Sequence, residues 1–205
     1  VINFGPSMGQ NNVVIRFEEV TFGYTTENLI LNEASFSVRE DAKFTLMGQN
    51  GAGKSTIFKL MTGELKPTKG SIHLLPGATI ATAKQVMARE HLTETVRDYF
   101  AHAFTQVPYN LDKRIGDALE AVNFSARLDK LVGNFSGGQQ ARLLLAYALI
   151  QEPDILLLDE PTNNLDSDGI DHLTAFLIMY PKTVLVISHD ADFLNCFTEG
   201  VLHLD

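Results

Sequence analysis

"GQNGAGKST", residues 48–56, follows the short apolar run "KFTLM" (43–47) and opens onto "STIFKLMTG", in which Ile57, Leu60 and Met61 recur at helical spacing. Strand, glycine loop and helix, in that order, are the context that G-x-x-x-x-G-K-[ST] requires. Glycines at 48, 51 and 53 let the backbone close around phosphate oxygens, with N–H groups and a helix N-terminus meeting the anion. Lys54 then reaches the outer phosphates and Ser55 offers a hydroxyl to Mg²⁺. A plain glycine-rich turn is the alternative, and the flanking strand and helix count against it.

Working outward, "DILLLDE" (154–160) and "TVLVISHD" (183–190) read as buried strands, and "DGIDHLTAFLIM" (168–179) between them reads as a helix. With the helix "ARLLLAYALIQ" (141–151) before them, this alternation predicts a parallel sheet covered on both faces. Ligands in such sheets gather at the carboxyl ends of the strands, so Asp159 and Glu160 should face the glycine loop. Asp159 suits Mg²⁺, usually through water, and Glu160 suits activation of an attacking water as general base. An acid pair capping the turn at Pro161 is the plainer alternative. His189 ends the next strand, where an imidazole can hydrogen-bond an outer phosphate oxygen and hold that water in line. The histidines at 73, 91, 102, 172 and 203 have no such placement and read as surface or packing residues.

Toward the N-terminus, "VVIRFEEVT" (13–21) and "LILNEASFSV" (29–38) have the partial alternation of half-buried antiparallel strands. From about 86 to 134 the texture becomes amphipathic and helical, in "HLTETVRDYFAHAF" (91–104) and "LDKRIGDALEAVNF" (111–124), with Pro108 as a break. The expected layout is one domain over residues 1–205. Residues 1–85 and about 141–205 form its core, and about 86–140 an inserted helical subdomain.

Composition sets the outer limits. A chain of 205 residues with 45% apolar and 20% charged residues has ample material for one folded core. A net charge of −9 with scattered basic residues argues against sequence-independent nucleic-acid binding by the surface as a whole. The single cysteine, Cys196, excludes an internal disulfide framework and favours a reducing, cytoplasmic setting. No apolar run approaches the roughly 18 to 20 residues that span a bilayer.

With these residues assembled, the sequence resembles the ATP-binding-cassette (ABC) ATPases along nearly its whole length. "GQNGAGKST", the signature "FSGGQQ" (135–140), "ILLLDE", "PTNNLD" (161–166) and "ISHD" (187–190) stand in family order. The resemblance implies an α/β, P-loop NTPase core with an N-terminal antiparallel β region and an inserted α-helical signature subdomain. It implies ATP hydrolysis with Mg²⁺, and an ATP site formed by Gly48, Gln49, Asn50, Gly51, Ala52, Gly53, Lys54, Ser55 and Thr56. Tyr24, or its neighbour Phe22, would stack on adenine. Gln85, with Ser55 and Asp159, would ligate the metal. Lys54, Glu160 and His189 would carry the catalysis.

In that family the site is shared by two cassettes packed head to tail. Ser136, Gly137, Gly138 and Gln139 would therefore address the ATP of a partner, and Asp166 would lie at the same interface. Three departures from the family pattern are visible: Phe135 stands before the signature serine, "VREDAKF" (38–44) lacks a turn glycine, and "ATAKQVM" (81–87) lacks a proline before Gln85. "DEPTNNLD" followed by "SHDADFL" resembles the ABC-F proteins, soluble factors with two cassettes in one polypeptide that act on the ribosome. This chain is then expected to be about half of a longer protein, its partner a sister domain or an identical chain. The alternative is the ATP-binding subunit of a membrane transporter.

Overall fold

The computed structural model describes residues 12–25, 28–49, 51–84 and 86–204 of the chain. β1 (Val13–Gly23) and β2 (Leu29–Arg39) form an antiparallel pair, β3 (Lys43–Gly48) runs through the glycine loop into α1 (Lys54–Met61), and β4 (Lys69–Leu74) returns to the free edge of β1. The partial alternation of β1 has a local cause. Its register with β2 shifts between Phe17 and Val20, and Glu19 takes a left-handed φ of 48°, which points both Phe17 and Val20 inward. Phe17 then stacks on Phe36 with ring centroids 4.3 Å apart. Gly70 of β4 lies against this bulge, and any side chain there would strike the carbonyls of Glu18 and Glu19.

After β5 (Ile80–Thr82) the chain enters the helical region: α2 (Val96–Ala101), α3 (Leu111–Glu120) and α4 (Gly137–Ile150). It returns through β6 (Ile155–Asp159), α5 (Ser167–Met179), β7 (Thr183–Ile187), α6 (Ala191–Asn195) and β8 (Gly200–Leu204). Among the described residues, β5-β6-β7-β3-β8 make one wholly parallel sheet.

Both faces of that sheet are covered, as the unbroken apolar runs predict. Successive residues of β6 serve opposite layers. Ile155 and Leu157 join Leu46, Leu185, Ile187, α1 and the antiparallel layer, whereas Leu156 and Leu158 join Val184, Val186 and the helices. Leu143 and Leu149 of α4 are fully enclosed on the helical side, each burial contributing about 1.5–3 kcal/mol.

The helix expected over 91–104 does not form as one piece. Residues Arg89–Thr93 make a 3₁₀ turn, Glu94 is extended (ψ 155°), and the Thr95 hydroxyl accepts from the Asp98 N–H to start a new, short helix. The threonine's local hydrogen bond outcompetes continuation of the turn. The second expected helix, over 111–124, stops early at Glu120, and left-handed Asn123 (φ 47°) redirects the chain.

Candidate functional site

Because β6, β7 and β3 are parallel neighbours, their carboxyl ends open on one edge. Asp159 pairs with Ile187, and the Glu160 N–H extends the ladder by one more bond, to the Ile187 carbonyl at 2.8 Å. Two residues beyond β7, His189 Nε2 lies 3.3 Å from Glu160 Oε1. On the β3 side, the Ser55 hydroxyl donates to Asp159 Oδ2 at 2.7 Å, and Lys54, buried, donates through Nζ to the carbonyls of Gly48 (2.7 Å) and Gln49 (3.1 Å). An open cleft of about 500 Å³ is bordered by Lys54, Ser55, Thr56, Asp159, Glu160 and His189.

Two backbone features hold this arrangement. Glu160 adopts φ 49°, a left-handed conformation that costs a non-glycine residue about 1–2 kcal/mol. The cost is offset where its N–H meets Ile187 and its carbonyl accepts from Asn163 N–H at 3.3 Å. Gly53 has φ 93°, and a Cβ there would run into the Ile30 side chain, so only glycine serves immediately before α1.

The start of α1 is also chemically distinctive. It has no side-chain cap and no acid in its first turn, whereas α2, α4, α5 and α6 are capped by Thr95, Ser136, Asp166 and Asp190. Free first-turn amides beside a lysine suit an anion. The Ser55 and Asp159 oxygens, converging at 2.7 Å, are the hard donors that Mg²⁺ prefers, so the residues present fit that ion.

Tyr24 stands on the rim of the cleft, 62% exposed, its hydroxyl 3.3 Å from Thr56 Oγ1. Phe22 is buried in the antiparallel layer with its ring edge-on to Tyr24. Asn50 and Gln85 lie outside the described residues. The cleft also takes Asn28 and Ile30 from the β1–β2 connection and the start of β2, which the sequence motifs do not mark.

The signature residues are elsewhere. Ser136 caps α4 by accepting from Gln139 N–H, while Gln139 Oε1 accepts from the Ser136 N–H, a reciprocal capping box. Gly137 and Gly138 occupy the exposed first turn, with open space where a Cβ would be. These four residues do not border the cleft of Lys54 and Glu160.

Asp166 caps α5 by accepting from the Gly169 N–H at 2.9 Å and pairs with Arg142 of α4, also at 2.9 Å. The Gly169 bond and then the guanidinium hold its carboxyl below the usual range. Nothing in the spacing of the sequence singles out Arg142, which reaches Asp166 only because α4 and α5 meet in three dimensions.

Comparison with known proteins agrees with this geometry. The family model described as ABC transporter matches residues 31–163. The Escherichia coli (strain K12) protein named "Probable ATP-binding protein YheS" is 35% identical over 194 residues, covering 93% of this chain and 30% of that protein. The "Energy-dependent translational throttle protein EttA" of Mycobacterium tuberculosis is 30% identical, covering 87% of this chain and 38% of its own length. The chain thus spans well under half of either relative. Among solved structures, an ATP-binding subunit of an ABC transporter has the same fold, with a TM-score of 0.82 at 22% identity over 93% of this chain and 85% of that one. A dimeric ATP-binding cassette bound to ADP and Pi aligns with a TM-score of 0.79 at 24% identity, over 93% of this chain and 94% of its own. Motif order, strand order and family model together place the chain in the ABC transporter family, as one of its ATP-binding ATPase cassettes.

Proposed function

We propose that this cassette binds ATP at residues 48–56, closes head to tail on a second cassette, and reopens on hydrolysis, acting as a conformational switch. The observation that carries the reading is the separation of two half-sites. Lys54, Ser55, Asp159, Glu160 and His189 gather at one cleft, while the exposed cap of α4 at Ser136 lies apart with no chemistry of its own. In this reading, first-turn amides of α1 and Lys54 hold the phosphates and Tyr24 flanks the base. Ser55 and Asp159 would hold Mg²⁺, which supplies charge neutralisation on the phosphates. Glu160 takes a proton from the attacking water, and His189 orients that water and the outer phosphate. Ser136 and the α4 N-terminus of a partner would close over the same phosphate, with the partner's Asp166 nearby.

The cassette is further assigned to an ABC-F type factor acting in the cytoplasm on the ribosome. "DEPTNNLD" and "SHDADFL" support this, as does relatedness to a protein named a translational throttle. The switch itself is tested by measuring phosphate release against protein concentration. Specific activity should rise with concentration, and Ser136→Arg should abolish the rise while leaving ATP binding to the monomer intact. A concentration-independent rate from a demonstrated monomer overturns the shared site.

A further inference from the structure

The 3₁₀ turn and short helix that replace the expected continuous helix at 91–104 bring together three side chains whose joint chemistry the nucleotide cycle does not use. We propose that His91, Glu94 and His102 form a binding site for a transition-metal dication of the Zn²⁺ type. His91 Nδ1 lies 3.0 Å from Glu94 Oε2 and His102 Nε2 lies 3.2 Å from Glu94 Oε1, and one ligand atom from each residue falls within a 4.8 Å sphere of the others. Two imidazole nitrogens and one carboxylate oxygen are the donor set of three-ligand zinc sites, with a fourth position open to water or an incoming group. The nitrogen majority disfavours Mg²⁺ and Ca²⁺, which take oxygen donors.

The local backbone explains the convergence. In a 3₁₀ turn, residues three apart eclipse, which stacks Glu94 over His91. Thr95 then caps α2, whose end returns His102 to the same carboxylate. The ring of His91 is held edge-on by Tyr99 at 5.1 Å, and Tyr99 in turn packs on Tyr147 of α4 at 4.7 Å. Its other nitrogen, Nε2, faces Glu90 Oε1 at 3.8 Å, where a carboxylate orients a metal-bound imidazole. Glu94 and His91 are partly buried and His102 is half exposed, so the ion would have a rigid floor and an open approach.

The site is wired to the signature. The Glu94 carbonyl accepts from the Val132 N–H at 2.9 Å, Thr95 bridges to Leu131, and a Cβ on Gly133 would press on the Leu92 carbonyl at 2.7 Å. Ser136 follows four residues after Val132. An ion on Glu94 therefore stiffens the seat on which α4 begins.

The test is titration of the tag-free, nucleotide-free chain with Co²⁺, followed by visible absorption, and then displacement by Zn²⁺. One equivalent should give the intense band of a four-coordinate cobalt site and be displaced stoichiometrically. His102→Ala and Glu94→Gln should each weaken binding by more than the roughly 10- to 100-fold that loss of an outer-shell partner costs, with circular dichroism and ATP affinity unchanged. His102 is exposed at a helix end, so its variant decides the matter should the Glu94 change perturb folding. No cobalt band, or equal affinity in His102→Ala, overturns the proposal and leaves a hydrogen-bonded His–Glu–His cluster only.

Discussion

Glu160 combines a left-handed backbone, a carboxylate 3.3 Å from His189 and a place one residue beyond a strand buried over Ile155–Leu158. Strain of this kind persists only where neighbours overdetermine it. Here the Ile187 and Asn163 hydrogen bonds do so, fixing the backbone from which the carboxylate projects independently of what enters the cleft. Glu160→Gln keeps the shape and the hydrogen-bonding reach to His189 but removes the base. Phosphate release should fall by about 10²–10⁴-fold, with ATP binding retained and ATP-bound dimers accumulating on size exclusion. Unchanged turnover would remove Glu160 from the role proposed for it. At this scale the sequence is highly informative, because Asp159, Glu160 and His189 lie at the carboxyl ends of parallel strands, and Lys54 and Ser55 open α1 at the far end of the glycine loop that leaves β3. Arg142 and the His91–Glu94–His102 group were illegible for the opposite reason. Their partners are set by how α4 meets α5 and by where one threonine breaks a helix.

Among elements, the strands that sequence periodicity misses are β4, β5 and β8, all of them sheet edges. An edge strand has one neighbour, and these three are too short to show a periodicity, whereas β2, also an edge, runs eleven residues and shows its alternation. β4 reads "KGSIHL" and is largely exposed, and β5 is only three residues long. The interior strands β6 and β7, enclosed on both faces, announce themselves as continuous apolar runs. Short edges need pinning, and Asp154 supplies it: Oδ2 accepts from the N–H and the hydroxyl of Thr79 at 2.8 and 2.9 Å, and Oδ1 pairs with Lys182 at 3.0 Å. The Thr79 N–H bond foremost, then Lys182, holds this carboxyl below its usual range. A depressed carboxylate stabilises the fold above its unfolded pKa of about 3.9, and that contribution is lost as pH falls through the lower folded value. Asp154→Ala should cost about 1–2 kcal/mol near neutrality. In urea melts the gap from the parent protein should close progressively below about pH 4; a gap that is constant down to pH 2 would contradict the assignment.

For the whole molecule, the two buried clusters share a wall. The parallel sheet has the nucleotide loop and antiparallel layer on one side and the signature-bearing helices on the other, so alternate side chains of the five-residue strand β6 touch both layers. The chain spans 30–38% of the YheS and EttA relatives, and the proposed assignment to a ribosome-acting factor is tested by sedimentation with ribosomes. The Glu160→Gln form should co-sediment with ribosomes through a sucrose cushion with ATP and not with ADP. Nucleotide-independent recovery with a membrane protein instead would favour the transporter alternative.

The capping box at the head of α4 sets a direction of hydrogen bonding. The Ser136 oxygen already receives the Gln139 amide and the Ser136 N–H is given to the Gln139 side chain, so the hydroxyl keeps its proton and one lone pair to present outward. The hydroxyl proton is committed to neither capping bond, so in the proposed shared site it can turn to a partner's phosphate oxygen, with the side-chain-free Gly137 and Gly138 leaving room for its bulk.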